Sequence, residues 1–261
     1  MYSREILESF YGEGLDAVMR DCADKLSGIV NGLDYEDFDP SADPRINNHY
    51  NSDTFRKIRP KNKLALQREC WLANDSKAFV LGIVSRLTDQ KGFDMFGSIV
   101  EDLIADGIQI AVIGSGEQRF EQMFQGFCDR YPGRFSYYNG YDERRARMIY
   151  AGADAFVMPS VFEPCGLSQL ISLRYGSVPI VRETGGLKDT VEPYNEYENR
   201  GTGFSFANLS AYELLHTIRY AHRIFREHKA RWNQMIERGM KQDFSWKQSA
   251  ADYERIYDEL I

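Results

Sequence analysis

Little in this sequence points toward a membrane, a metal or a disulfide framework. No apolar run approaches the roughly 20 residues needed to cross a bilayer, and residues 1–20 lack the apolar core of a secretion signal. The four cysteines, Cys22, Cys70, Cys128 and Cys165, form no Cys-x-x-Cys pair, the spacing that zinc and redox motifs use. A disulfide framework would also be out of character at this chain length. The four histidines, His49, His216, His222 and His228, have no metal-ligand spacing with acidic partners. The last three are expected to sit solvated on or near one helix. Positive charge is in deficit: 32 Lys and Arg against 39 Asp and Glu give a formal net charge of −7. That argues against nucleic acid as the main partner, yet leaves room for one local basic pocket. No internal repeat or low-complexity tract is visible.

What is present fits a globular protein with a real core. Hydrophobic residues make up 43% and charged ones 27% of 261 residues, and a chain of this size buries roughly three quarters of its unfolded surface. Apolar runs at 78–85 (AFVLGIVS), 108–113, 135–138, 153–158 and 177–181 read as strands. Between them, residues 93–105, 117–130, 144–151 and 166–175 carry apolar side chains at helical spacing. Repeated strand–helix units predict a Rossmann-like, doubly wound parallel sheet covered by helices on both faces, from about Lys25 to about Phe206. Helices are expected at 210–227 and 245–260, the second with Trp246, Ala250, Tyr253, Ile256 and Leu260 on one face and Ser245 as its N-cap. Residues 39–60, rich in Asn, Asp and Pro, read as an irregular surface loop.

Ligands bind at the carboxyl ends of the strands in such sheets, so the loops after each strand are the places to search. Arg86 and Lys91 follow the first strand. Two cations there can clamp a diphosphate, Arg with a forked donor set and Lys with a point charge, or can simply be exposed on a loop. Gly114-Ser115-Gly116 after the second strand is a tight turn, not the full dinucleotide fingerprint. After the fourth strand comes Pro159-Ser-Val-Phe-Glu-Pro-Cys-Gly-Leu-Ser168. The amides of Gly166, Leu167 and Ser168 at a helix start can bind an anion; Glu163 can accept from sugar hydroxyls or merely complement the helix dipole. Cys165 has no paired His and reads as a small filler rather than a nucleophile. Thr184-Gly185-Gly186 permits close backbone approach to a ligand or is a plain helix-entry turn. Tyr141 can stack on a base or be a half-buried tyrosine.

Taken in order, these stretches resemble bacterial glycogen synthases and plant starch synthases. The resemblance rests on YGEGLD at 11–16, GIVNGLD at 28–34, SRLTDQKG at 85–92, GYDE at 140–143, Pro159-Ser160 with FEPCGL at 162–167, RYG at 174–176, TGGL at 184–187 with Asp189-Thr190, TGF at 202–204 and DFSW at 243–246. It implies one half of a GT-B glycosyltransferase, the C-terminal donor-binding half. Residues 1–24 would be the end of the other half, 25–243 the nucleotide-sugar-binding domain, and 244–261 a helix expected to pack toward the other half. The implied reaction transfers glucose from ADP-glucose to the non-reducing end of an α-1,4-glucan with retention, without metal or other cofactor. Arg86 and Lys91 would hold the diphosphate and stabilise the leaving nucleotide. Glu163 would contact glucose hydroxyls, and Cys165, Gly166, Leu167, Ser168, Thr184, Gly185 and Gly186 would surround phosphate and sugar. Tyr141 would lie near the adenine.

The implied partners are ADP-glucose or ADP, the α-1,4-glucan and the N-terminal half, with no nucleic acid or membrane. The cytoplasm is the expected compartment, or the plastid for a plant chain. Two features depart from the pattern. Many retaining transferases of this fold have Glu-x7-Glu, which would put a second Glu at 171, where this chain has Ile171; the glycogen synthase branch often lacks it. The Lys-x-Gly-Gly loop of the N-terminal half is also absent, so the chain alone is expected to be inactive. A nucleotide-sugar-binding module without catalysis, or another GT-B transferase, are the competing readings.

Overall fold

The computed structural model describes residues 1–259; the expectation placed on Leu260 lies outside them. Six strands, β1 (Val80–Val84), β2 (Gln109–Gly114), β3 (Phe135–Asn139), β4 (Ala155–Met158), β5 (Val178–Arg182) and β6 (Phe204–Phe206), form one all-parallel sheet in the order β3-β2-β1-β4-β5-β6. Strands β1, β2 and β4 are almost wholly buried, as expected where helices cover both faces.

The helices are α1 (Tyr2–Glu5), α2 (Asp16–Asp21), α3 (Phe55–Glu69), α4 (Phe93–Ala105), α5 (Gln118–Arg130), α6 (Glu143–Gly152), α7 (Ser168–Arg174), α8 (Gly185–Thr190), α9 (Ala211–Glu227), α10 (Lys229–Lys241) and α11 (Trp246–Glu259). Helix α4 packs beside α5 and α9, whereas α6 packs beside α3 and α7, with α10 against α7. Right-handed crossovers require this division: β1, β2 and β3 run outward in one direction, and the chain then crosses to start β4 on the other side of β1. Phe93, Phe96, Ile99, Val100 and Leu103 bury one stripe of α4 against the sheet.

Two expectations need correction, and two elements went unread. Residues 39–54 form the expected irregular surface loop, but it is pinned to the core and it ends at Thr54 rather than Pro60. Asp43, Ile46 and Tyr50 are buried, because the strap's polar groups find partners inside: the Tyr175 hydroxyl donates to Asp43 (2.6 Å) and the Tyr50 hydroxyl to the Tyr175 carbonyl (2.7 Å). From Phe55 onward the chain is helical, with Pro60 inside α3. Of the three tail histidines, His222 is half-buried rather than free in solvent. It stacks on Phe79, with ring centroids 5.2 Å apart, and burial, reinforced by nearby Arg226, lowers its pKa below the ordinary 6.5. Finally, β6 and α10 went unread in the sequence, although α10 buries Trp232, Met235, Ile236, Gly239 and Met240 at helical spacing.

Candidate functional site

The strand order reverses between β1 and β4, so the loops leaving these two neighbours run to opposite faces and leave a crevice at their carboxyl ends. Two adjoining cavities occupy it. The smaller, about 190 Å3, is lined by Ser85, Arg86 and Lys91 after β1, by Met158 at the end of β4, by Pro159 and Ser160 after it, and by Ser168. The larger, about 430 Å3, shares Val84, Ser85, Arg86 and Ser168 with it and extends past Gly114, Ser115 and Tyr141 to a floor of Phe38, Arg147 and Ile171.

The two loops are tied to each other. Val161 N–H donates to the Gln90 carbonyl (2.8 Å) and the Gln90 side chain to the Phe162 carbonyl (3.1 Å). Gly92, at φ +71°, makes the approach possible: a Cβ there would stand 2.1 Å from the Pro159 carbonyl oxygen. Lys91 is thereby delivered to Glu163, with Nζ 2.5 Å from Oε2. Ser160 Oγ donates to the same oxygen at 3.2 Å. Both charges are largely shielded from water, which makes their attraction stronger than on an open surface and their separation costly.

Arg86 differs. Its guanidinium is exposed and has no side-chain or backbone acceptor among the described residues. It lines both cavities. A free forked cation beside a cation already committed to a carboxylate fits a ligand with more than one negative charge.

The sequence-predicted residues fall into two groups. Arg86, Lys91, Tyr141, Leu167 and Ser168 face the crevice or its rim; Tyr141 is 72% exposed at the mouth of the larger cavity, and Leu167 is exposed beside it. The backbone amides of Gly166, Leu167 and Ser168 donate to no protein acceptor among the described residues. Thr184, Gly185 and Gly186 instead form the backing of the acidic loop. Gly186 N–H donates to the Glu163 carbonyl at 3.0 Å. A Cβ on Gly185 would meet that carbonyl oxygen at 2.0 Å, and one on Gly186 the Cys165 carbonyl oxygen at 2.0 Å, so the pair is needed for the two backbones to touch. The Cys165 sulfur accepts from Asn31 N–H (3.4 Å), and burial, with Glu163 and Asp189 adding to it, raises the thiol pKa. Low nucleophilicity at neutral pH follows.

Sequence reasoning missed the residues that hold these loops. Glu5 is buried, and its carboxylate accepts from Thr184 Oγ1 (3.1 Å) and Gly185 N–H (2.9 Å). Arg182, at the end of β5, donates from Nε to the Ser160 carbonyl (2.8 Å) and from its guanidinium to the Val161 carbonyl and Tyr11 hydroxyl. Arg147 is 2% exposed, bound by Asp37, Glu143 and Tyr175 and laid over the Phe38 ring. All three depend on contacts with segments distant in sequence, which no local pattern reveals.

The family described as glycosyl transferases group 1 matches residues 78–221. The glycogen synthase of Lachnospira eligens is 55% identical over 259 residues, covering 99% of this chain and 54% of that protein. That of Geobacillus stearothermophilus is 45% identical over 260 residues, covering all of this chain and 53% of that protein. The chain thus spans about half the length of the curated relatives it matches. Among solved structures, the catalytic domain of starch synthase IV from Arabidopsis thaliana, bound to ADP and acarbose, superposes with a TM-score of 0.92 at 30% identity, over 99% of this chain and 54% of that one. A sucrose-phosphate synthase from Thermosynechococcus elongatus, at 20% identity and TM-score 0.63 over 94% of this chain and 56% of that one, shares the fold.

Proposed function

Since the chain belongs to the group 1 glycosyl transferases, we propose that it is the nucleotide-sugar-binding half of a retaining glucosyltransferase of the glycogen and starch synthase type. Its donor in this reading is ADP-glucose and its acceptor the non-reducing end of an α-1,4-glucan. The observation that carries the reading is the free Arg86 beside the Lys91–Glu163 pair, at the reversal point of the sheet. The similarity to glycogen synthases and to a starch synthase structure that holds ADP supports it.

The chemistry follows from the positions. The diphosphate lies in the smaller cavity, against Arg86, Lys91 and the open amides near Ser168. As the bond between glucose and phosphate breaks, the departing ADP keeps the electron pair, and the two cations stabilise the growing charge. They are fixed before the reaction, so little reorganisation is required. Glu163 holds Lys91 in place and offers its carboxylate to glucose hydroxyls, which orients the sugar. The nucleoside extends into the larger cavity, with Tyr141 at its mouth for stacking. Ile171 gives that cavity an apolar wall where a carboxylate would otherwise stand. The reading requires no metal, since Arg86 and Lys91 supply the positive charge. In this reading residues 1–24 belong to the end of the N-terminal half, and helix α11 packs toward that half.

Calorimetric titration of the chain with ADP, ADP-glucose and UDP-glucose tests the proposal. Saturable binding of ADP and ADP-glucose, at least tenfold tighter than UDP-glucose, is expected. Equal or tighter binding of UDP-glucose overturns the donor assignment, and absence of all binding overturns the site.

A further inference from the structure

At the other end of the sheet, below the amino ends of β1 and β4, lies a small cavity of about 90 Å3 that the proposed transfer does not use. Its lining includes Arg59 and Lys63 of α3, Asp154 before β4, and Lys229 and Trp232 of the first turn of α10. The charges do not balance. Lys63 is paired with Asp154 at 2.6 Å, and Asp154 also accepts from Val80 N–H at 2.9 Å, which consumes the one carboxylate. Arg59 is only 7% exposed; it donates to the Ala153 carbonyl at 2.5 Å, but its Nε has no partner. The Lys229 ammonium has no hydrogen-bond or ion-pair partner among the described residues and rests 4.2 Å above the Phe225 ring. Partial burial lowers the Lys229 pKa; Asp154 opposes that shift, while Lys63 and Arg59 add to it. The remaining cavity cation, Arg56, is paired with Glu237.

A third source of positive potential converges there. Helix α10 has 13 residues and begins at Lys229; its N-cap, His228, supplies no side-chain cap. The open amides of its first turn and its dipole therefore favour an anion. A buried guanidinium with one unpartnered N–H, an exposed ammonium without a partner and an uncapped helix start together leave positive potential that an anion would offset.

We propose that this cavity is a binding site for one phosphate group, held by Lys229, the Arg59 guanidinium and the first-turn amides of α10. At about 90 Å3 the cavity has room for a group the size of one tetrahedral oxyanion. The site is separate from the nucleotide crevice, at the opposite end of β1 and β4. It also joins α3, α10 and the start of β4, so its occupancy braces the amino end of the sheet.

The test is a nuclear magnetic resonance titration of the 15N-labelled chain with inorganic phosphate at constant ionic strength, with chloride as the control. Saturable shifts of the Trp232 indole N–H and of the amides of Lys229, Ala230 and Arg231 are expected. The exposed substitution Lys229→Glu is expected to weaken this binding at least tenfold, while Lys91→Ala leaves it unchanged. Arg59→Gln gives a second variant, and Lys229→Glu keeps the test decisive if that one fails to fold. A parallel titration with glucose 1-phosphate separates the sources: equal or tighter binding assigns the site to a phosphate monoester, weaker binding to free phosphate. Shifts that chloride reproduces, that survive Lys229→Glu, or that vanish with Lys91→Ala overturn the proposal.

Discussion

Arg86 and Lys91 carry the same charge at the same strand end, yet truncating them has different consequences. Arg86 is exposed and unpartnered, so Arg86→Ala removes only ligand contacts. A charge-assisted hydrogen bond contributes about 1.5–3 kcal/mol, so ADP affinity is expected to fall roughly tenfold or more, with the melting temperature unchanged. Lys91→Ala also leaves the shielded Glu163 carboxylate without its cation. Its affinity loss is expected to be larger, because the bare carboxylate repels the diphosphate, and the melting temperature is expected to drop as well. Calorimetry and thermal unfolding of both variants check this. Equal affinity in either variant contradicts the clamp. His222 makes a separate prediction. Its pKa is lower folded than the unfolded 6.5, so the unfolded state binds the proton more readily. Its contribution to stability is complete above about 6.5 and is lost as pH falls toward the folded value. His222→Phe, which keeps the stack on Phe79, is expected to flatten stability against pH below 6.5, measured by denaturant unfolding. An unchanged slope would show that His222 is not the group responsible. At this scale, Arg86, Lys91 and Glu163 could be singled out as candidates from the sequence because each lies in a loop beside a strand end with glycines near it. Glu5 and Arg182 were not, since each acts on loops more than 20 residues away.

Among the elements, the strands that build the crevice were readable from apolar runs, because a strand buried on both faces has no polar alternation to interrupt it. Helix α3 was not. Pro60 and the polar run before it are ordinary loop signals, and only tertiary packing of Phe55 and Leu66 overrides them. Helix α11 shows the opposite case, a clear periodic pattern whose apolar face the described residues cover poorly. Its start is pinned: Leu33 N–H donates to the Phe244 carbonyl (2.7 Å), Ser249 Oγ to the Val30 carbonyl (2.8 Å), and Gly32 lies directly against Trp246. Beyond that, Trp246 is 51%, Tyr253 42% and Tyr257 61% exposed. Apolar surface left uncovered suits docking onto another body. Limited proteolysis is therefore expected to cut first after Tyr253, Arg255 or Tyr257, leaving residues 25–243 resistant. A tail as protected as the sheet in a proven monomer would contradict that expectation.

For the molecule as a whole, the doubly wound sheet and the crevice at the carboxyl ends of its strands were both legible, since alternating strand and helix patterns fix crossovers of one hand and hence the crevice. The cavity opposite was not legible, because its cations come from α3 and α10, far apart in sequence and near only after folding. The chain covers 54% of the Lachnospira eligens glycogen synthase. If the other half completes the active site, this chain binds donor without closing over it, and closure is what excludes water. No glucosyl transfer from labelled ADP-glucose to glycogen is expected from the pure chain; steady turnover would refute this. The central claim is that the crevice between β1 and β4 receives the diphosphate. Its most direct test is a nuclear magnetic resonance titration with ADP. The account predicts saturable shifts of the amides of Ser85, Arg86, Tyr141 and Ser168, all lost in an Arg86→Ala, Lys91→Ala double variant. Saturable ADP binding that leaves those four amides unmoved would contradict it.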